Sequence, residues 1–194
     1  QSLEYERALQ EWSVPYYVVA GTGFFRQQEV YDVLNALRAI DNPYDDVAVV
    51  GTLRGAMIGL DDNAMGHLAE AAGPPYFPRL ADPDVLARLD PPARERLVFA
   101  AGLLARLHAD KDALGPAGLI ESLLAATGYE QVLLSQFNGR QKLGNLRRML
   151  DAARAAAALS LADFVQRYGE FVLAESRHEQ AAVAGEGEDV VRLM

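Results

Sequence analysis

The chain has no cysteine and only three histidines among its 194 residues. Without cysteine it forms no disulfide and offers no thiolate to a metal ion, and three histidines do not make a histidine-rich metal site. No apolar run approaches the ~18 residues that a membrane-spanning helix needs. Residues 1–6 are acidic and amphipathic, unlike a secretion signal. We therefore predict a cytoplasmic protein and, because Gln1 is not an initiator methionine, a piece of a longer chain.

Positive charge is also scarce, with 18 lysines and arginines against 27 acidic residues and a net charge of -9. This balance argues against strong sequence-independent nucleic-acid binding by the chain as a whole, because that affinity comes from cations that replace counterions. It is compatible with a local basic patch. The 51% of hydrophobic residues is ordinary for a globular domain.

The clearest local pattern, at residues 16–34, is an apolar strand, a Gly-x-Gly turn and an amphipathic helix. Its turn lacks the Gly-Lys-Ser/Thr run of a Walker phosphate loop, since Phe24 and Phe25 stand in that place. A dinucleotide-binding loop needs a third glycine where Arg26 stands. The sequence has no G-x-S-x-G nucleophile elbow either. We predict no catalytic residue, no metal site and no cofactor in this chain, and we expect the two phenylalanines to pack under a sheet.

Hydrophobic periodicity predicts a mainly α fold: a helical domain with a small α/β piece formed by the two chain ends. Strands are expected at residues 16–19 and 189–194, with an all-helical block of roughly 125 residues between the end pieces, a normal domain size. Two isolated strands are not stable alone, so we expect them to pair within a larger sheet. Helices are predicted at residues 26–41 and 141–158, and from starts near residues 45, 61, 85, 91, 116, 129 and 160.

Asp61, Asp62 and His67 could be drawn as a metal site. However, a carboxylate placed just before an apolar helical stripe is a typical N-cap. We favour capping by Asp61 or Asp62, with a solvated histidine, over metal binding. His178 and Glu179 lie among charges and are interpreted as surface residues.

One basic cluster stands out against the acidic background. Between residues 140 and 154 there are five cations and one acidic residue, Asp151; the cations are Arg140, Lys142, Arg147, Arg148 and Arg154. On a helix they could face a phosphate backbone. The alternative is that Arg147 and Arg148 pair with Asp151 at i,i+4 and i,i+3 spacing on a solvated face.

Residues 14–34 resemble the segment that follows motif IV in UvrD-like superfamily 1 helicases, of the form I-P-Y-x-V-x-G-G-x-x-F-F-x-R-x-E-V-x-D-x-L. Residues 37–46, L-R-A-I-D-N-P-Y-D-D, are similar to the family's L-R-x-x-x-N-P-x-D-D. There are two departures: Ala20 replaces the first glycine of the pair, and Gln27 replaces the usual arginine.

The resemblance implies a domain division. In this family a helical domain, 2B, is inserted into the second RecA-like domain, 2A. We accordingly predict a partial 2A segment at residues 1–54, a 2B-like domain at 55–184 and a returning 2A strand at 185–194. Residues 53–65, L-R-G-A-M-I-G-L-D-D-N-A-M, are similar to the L-R-S-P-L-F-G-L-S-D-E-A-L run of AddA/RecB-type helicase–nuclease subunits.

The same loop resembles less closely the R-G-I-G-D run of UvrD, PcrA and Rep, whose glycines approach duplex DNA. Only Gly59 and Asp62 match that run, and its second glycine is Asp61 here. The nucleic-acid-binding candidates are therefore Arg54 and Gly59 from this loop, together with Arg140, Lys142, Arg147 and Arg148.

The function that the resemblance implies belongs to a parent protein. That parent would be an ATP-dependent DNA helicase, an exonuclease subunit of DNA double-strand-break repair and recombination, using ATP and magnesium at motifs that this chain lacks. Its partners would be DNA, the remaining 1A and 2A motor domains and a second helicase–nuclease subunit, and the 2B-like part would be regulatory. Two alternatives stay open: a UvrD/PcrA/Rep-type repair helicase, and a stand-alone helical interaction module.

Overall fold

Helix α1, Gln28–Asp41, lies at the centre of the structure, a computed structural model that describes residues 27–170. Nine of its fourteen residues are buried, and it packs against α2, α5, α6 and α8. The remaining elements are α2 Asp46–Arg54, α3 Asp62–Ala72, a short 3₁₀ turn Phe77–Arg79, α4 Pro83–Arg88, α5 Pro91–Ala109, α6 Lys111–Thr127, α7 Tyr129–Leu134, α8 Gly139–Ala155 and α9 at residues 161–170.

The mainly helical fold is confirmed for residues 27–170, which contain helices and no strand. The strands predicted at residues 16–19 and 189–194 lie outside the described residues, as do Phe24 and Phe25. None of the helices within residues 27–170 combines the length and the apolar content needed to cross a membrane.

Side-chain caps account for most helix starts. Asp45, Asp61 and Asp90 each accept a hydrogen bond from a backbone N–H in the first turn of α2, α3 and α5, at 3.1, 2.8 and 2.8 Å. Such caps satisfy N–H groups that the helix itself leaves unpaired. The predicted capping box is also present: Ser160 Oγ accepts from the N–H of Asp163 at 3.1 Å and donates to its carboxylate at 2.7 Å.

Three predicted boundaries are wrong by two to five residues. Helix α1 begins at residue 28, and α8 covers residues 139–155 where 141–158 was predicted. The helix predicted to start at Pro116 begins at Lys111 and kinks at Gly115, which has φ 63°. The left-handed Gly115 permits a bend directly before the proline. The extra turn at residues 111–114 continues almost directly from α5 and left no signal of its own in the sequence.

Two buried carboxylates distinguish α1 from an ordinary core helix. Asp32 is 2% exposed and accepts from Tyr129 OH at 2.6 Å and from Gln28 Nε2 at 2.7 Å. Glu29 is 1% exposed and accepts from Asn145 Nδ2 at 2.7 Å. Burial, together with the hydrogen bond and the negative charge of Asp32, raises the pKa of Tyr129 far above its ordinary value, so its hydroxyl remains a donor.

The α7–α8 turn depends on a close backbone approach. A Cβ added to Gly139 would meet the carbonyl oxygen of Leu133 and would lie 2.8 Å from the Cα of Leu134. Glycine at this position therefore lets α8 start directly against the end of α7. In contrast, Gly144, further along α8, has no heavy atom within 4 Å of an added Cβ.

We expect these two glycines to respond oppositely to alanine. Gly139→Ala should lower the free energy of unfolding by about 1–3 kcal/mol, because backbone atoms must move to admit the methyl group. Gly144→Ala should raise it by about 0.5–1 kcal/mol through helix propensity. Urea denaturation followed by circular dichroism measures both, and a stabilising Gly139→Ala would contradict the close approach.

Removing the buried hydroxyl of Tyr129 should also be costly. Tyr129→Phe leaves Asp32 without one donor, so we expect a loss of roughly 1–3 kcal/mol in the free energy of unfolding. Tyr44→Phe is the matched control, because Tyr44 is 69% exposed and surface changes usually stay within about 0.5 kcal/mol. Equal effects in the same urea titration would show that the hydrogen bond to Asp32 contributes nothing.

Candidate nucleic-acid interface

Helix α8 has one face in the core and one in solvent. The inner face buries Leu143, Leu146, Met149 and Ala153. The outer face exposes Arg140, Arg147 and Arg148, three of the six binding candidates predicted from the sequence. At 1.5 Å of rise per residue, Arg140 and Arg147 are about 10 Å apart along the helix axis. We refer to Arg140, Arg147 and Arg148 as the arginine face.

The guanidinium groups of the arginine face have no partner among residues 27–170, neither an ion pair nor a side-chain hydrogen bond. Asp151, the expected partner of Arg147 and Arg148, instead pairs with Arg154 at 3.2 Å. Arg154 Nη2 also contacts Glu121 Oε1 on α6 at 2.7 Å, and this hydrogen bond raises the pKa of Arg154. The alternative pairing of Arg147 and Arg148 with Asp151 is therefore wrong, and Arg154 is neutralised.

Lys142 differs from the three arginines in its surroundings. It is half-buried, and its Nζ donates to Gln136 Oε1 at 2.6 Å in the α7–α8 turn. Because the glutamine is neutral, the positive charge remains. The lysine is held near the start of α8 and is less free to reach outward than Arg140 beside it.

The second group of candidates lies on the end of α2 and the loop after it. Arg54 Nη2 contacts Asp62 Oδ1 at 2.6 Å, with both side chains largely exposed. Gly59 has φ 71° and open space where a Cβ would be, and its carbonyl accepts from Arg96 Nη1 at 3.0 Å. A nearby carboxylate thus balances the only candidate cation here, so this loop offers less net positive charge than the arginine face.

The acidic residues of this loop have structural roles. Asp61 caps α3 and Asp62 pairs with Arg54. Among the described residues there is no group of three or more His, Asp and Glu side chains placed to hold a metal ion. The geometry therefore supports capping for Asp61, as the sequence predicted.

Sequence reasoning missed Asn145 and its contact with Glu29. Asn145 lies on α8 two residues before Arg147, and its partner on α1 is 116 positions away. The available signal was two acidic residues, Glu29 and Asp32, spaced i,i+3 within the apolar stripe of α1. That spacing places both on one helix face, but it does not identify the partner.

Comparison with known proteins gives two kinds of match. Residues 1–77 match the UvrD-like helicase C-terminal domain family. The chain is also similar to AddA-type proteins, named as subunits of an ATP-dependent helicase/nuclease. It is 29% identical to that of Bacillus licheniformis over 93% of this chain, and 31% identical to those of Desulforudis audaxviator and Bacillus cytotoxicus over 94% and 93%.

The similarity to these proteins extends well beyond residue 77, through the helices of the arginine face. The chain spans about 15% of the length of each of these three relatives. The motifs at residues 14–34 and 37–46 fall within the matched family domain, which confirms the resemblance on which they were interpreted. This chain belongs to the UvrD-like helicase family, and it is similar to one region of the AddA-type helicase/nuclease proteins.

Proposed function

We propose that this chain is the DNA-contacting helical region of a helicase–nuclease subunit, and that the arginine face of α8 binds the phosphate backbone of DNA. The carrying observation is that Arg140, Arg147 and Arg148 are exposed on one face of a well-buried helix and have no carboxylate partner among the described residues. The relatives are named for an ATP-dependent helicase/nuclease, which supports DNA as the ligand.

Unpaired arginines suit phosphate for a physical reason. A guanidinium group donates several hydrogen bonds in a fixed plane and matches phosphate oxygens in pairs. Each contact also releases condensed counterions, which makes binding salt-dependent. Because the whole chain carries a net charge of -9, we expect weak affinity that depends on this local patch.

The parent protein in this proposal is an ATP-dependent DNA helicase and exonuclease subunit of cytoplasmic double-strand-break repair and recombination. Its RecA-like motor domains would supply the ATP and magnesium site, and a second helicase–nuclease subunit would complete the assembly. The region described here would be regulatory, carrying DNA contacts to the motor. The similarity to helicase/nuclease proteins favours this parent over a UvrD/PcrA/Rep-type helicase and over a stand-alone module.

The domain division remains part of the proposal: residues 1–54 and 185–194 with the motor domain 2A, and residues 55–184 as the 2B-like domain. The buried core, however, continues across Arg54. Val30, Val33 and Leu37 of α1 belong to the same apolar cluster as Leu119 and Leu146. The sequence-based boundary at residue 54 therefore does not coincide with a gap in the packing.

Removing the arginine face should weaken DNA binding in a salt-dependent way. For Arg140→Gln/Arg147→Gln/Arg148→Gln we expect the slope of log affinity against log salt to become shallower by about three, roughly one unit for each lost phosphate contact. Fluorescence anisotropy of a labelled DNA duplex, titrated between about 50 and 200 mM salt, measures this slope.

The matched control removes three arginines that are already paired. Arg38, Arg79 and Arg154 contact Asp45, Asp82 and Glu121 at 2.8, 3.1 and 2.7 Å. Changing all three to glutamine lowers the net charge by the same three units, and the slope should stay close to that of the unmodified chain. Equal losses in the two triple variants would mean that overall charge, rather than the arginine face, governs binding.

ATP hydrolysis should be absent from the 194-residue chain with or without DNA. The chain has no Gly-Lys-Ser/Thr run to hold a nucleotide phosphate. A coupled phosphate-release assay on the purified chain checks this expectation. Turnover that persists through further purification would contradict it and would require a nucleotide site of another kind.

A further inference from the structure

The two buried carboxylates of α1 connect it to the hairpin formed by α7 and α8. Glu29 and Asp32 lie on one face of α1 at i,i+3 spacing, and both are almost inaccessible to solvent. Their described partners are all neutral side chains: two amides and one phenol. Burying a carboxylate without a cation is expensive, so each needs these hydrogen bonds.

The first connection reaches the helix of the arginine face. Asn145 Nδ2 donates to Glu29 Oε1 at 2.7 Å. Asn145 lies on α8 between Arg140 and Arg147, on the flank of the helix that turns from solvent toward the core. A directional bond at this position constrains both the rotation of α8 about its axis and its sliding along α1.

The second connection reaches α7 and the end of α2. Tyr129 OH donates to Asp32 Oδ2 at 2.6 Å, across 97 positions of sequence. The other carboxylate oxygen of Asp32 would lie 3.3 Å from a Cβ added to Gly55, which directly follows α2. Asp32 therefore lies where α1, α7 and the α2 terminus meet.

Helix α2 is in turn held closely to α1. A Cβ added to Gly51 would lie 2.6 Å from Asn35 Nδ2 on α1, so the two helices approach as near as glycine permits. The helices on both sides of α1 are thus fixed to it, α2 by close packing and the α7–α8 hairpin by buried hydrogen bonds.

We propose that Glu29 and Asp32 are positioning residues that hold the α7–α8 hairpin to α1, so that α1, α2 and the arginine face move as one body. A rotation of the helical region against a motor would then carry α1 and α2 with it, and would not hinge at the sequence-based boundary after Arg54. The significance for DNA rests on the proposed function, but the rigid coupling itself does not.

The coupling can be measured as a distance, because the chain has no native cysteine. Nitroxide labels on Val47→Cys and Gly144→Cys would report the separation of α2 and α8 by double electron–electron resonance. Val47 is 73% exposed, and Gly144 has open space where a side chain would begin. We expect one narrow distance distribution in the otherwise unmodified chain, and a broad or double distribution would overturn the proposal.

Two variants test the hydrogen bond to Asn145 apart from packing. Glu29→Leu/Asn145→Leu replaces the bonded pair by apolar side chains, so we expect an unchanged or higher melting temperature together with a broadened distance distribution. Glu29→Gln keeps an acceptor for Asn145 and should retain the narrow distribution. A purely structural role would predict that distance and melting temperature change in parallel.

Asn145→Ala provides a milder test should the double leucine variant not fold. It removes only the donor, from a half-buried position, and should also broaden the distribution. A narrow distribution in every folded variant would overturn the positioning role. These labelled samples contain no DNA, so a failure of the DNA proposal would appear only in the anisotropy of the arginine variants and is separable from this result.

Discussion

Helix α1 is buried on most of its surface, and the arrangement of the other helices depends on satisfying its polar groups. At its C-terminal end, His108 Nδ1 donates to the carbonyl of Ile40 at 2.6 Å, and Lys111 Nζ donates to the carbonyl of Asp41 at 2.9 Å. A helix end buried without such donors would leave carbonyl oxygens unpaired. Cationic groups also suit the negative end of the helix dipole. Helices α5 and α6 are therefore fixed to one end of α1, while α7 and α8 are fixed near the other.

This arrangement explains why α8 can present unpaired arginines. Its inner face is held by apolar packing and by the bond from Asn145 to Glu29, so the helix does not depend on surface ion pairs for its position. Exposed ion pairs contribute little to stability in any case. The outward arginines are then free to meet a phosphate backbone, and the one arginine that does pair across helices, Arg154, lies at the far end of α8.

Local signals in the sequence were sufficient for most of the helical fold. Asp45, Asp61 and Ser160 act as caps, and Gly128 ends α6 in the left-handed conformation at φ 62°. Each of these depends on neighbours within a few residues. The kink at Gly115 and the early start of α8 were missed, because the first joins two helical segments and the second depends on contact with α7.

The binding face was only partly predictable for the same reason. The sequence showed five cations between residues 140 and 154 but could not show which of them are already paired. Glu121, the partner of Arg154, is 33 positions away, and Glu29, the partner of Asn145, is 116 positions away. The family resemblance identified Glu29 and Asp32 as parts of a motif without indicating what they contact. Such long-range pairs follow from tertiary packing, which residue spacing alone does not determine.

The central claim is that the outer face of α8 lies against DNA, and site-specific photo-crosslinking tests it most directly. A benzophenone amino acid would be placed at Gly144, on the arginine face, and at Val47 on α2 as the comparison, with crosslinked DNA identified by mass spectrometry. The account predicts efficient crosslinking from position 144 and little from position 47. Equal yields at the two positions, or crosslinking from position 47 alone, would contradict it.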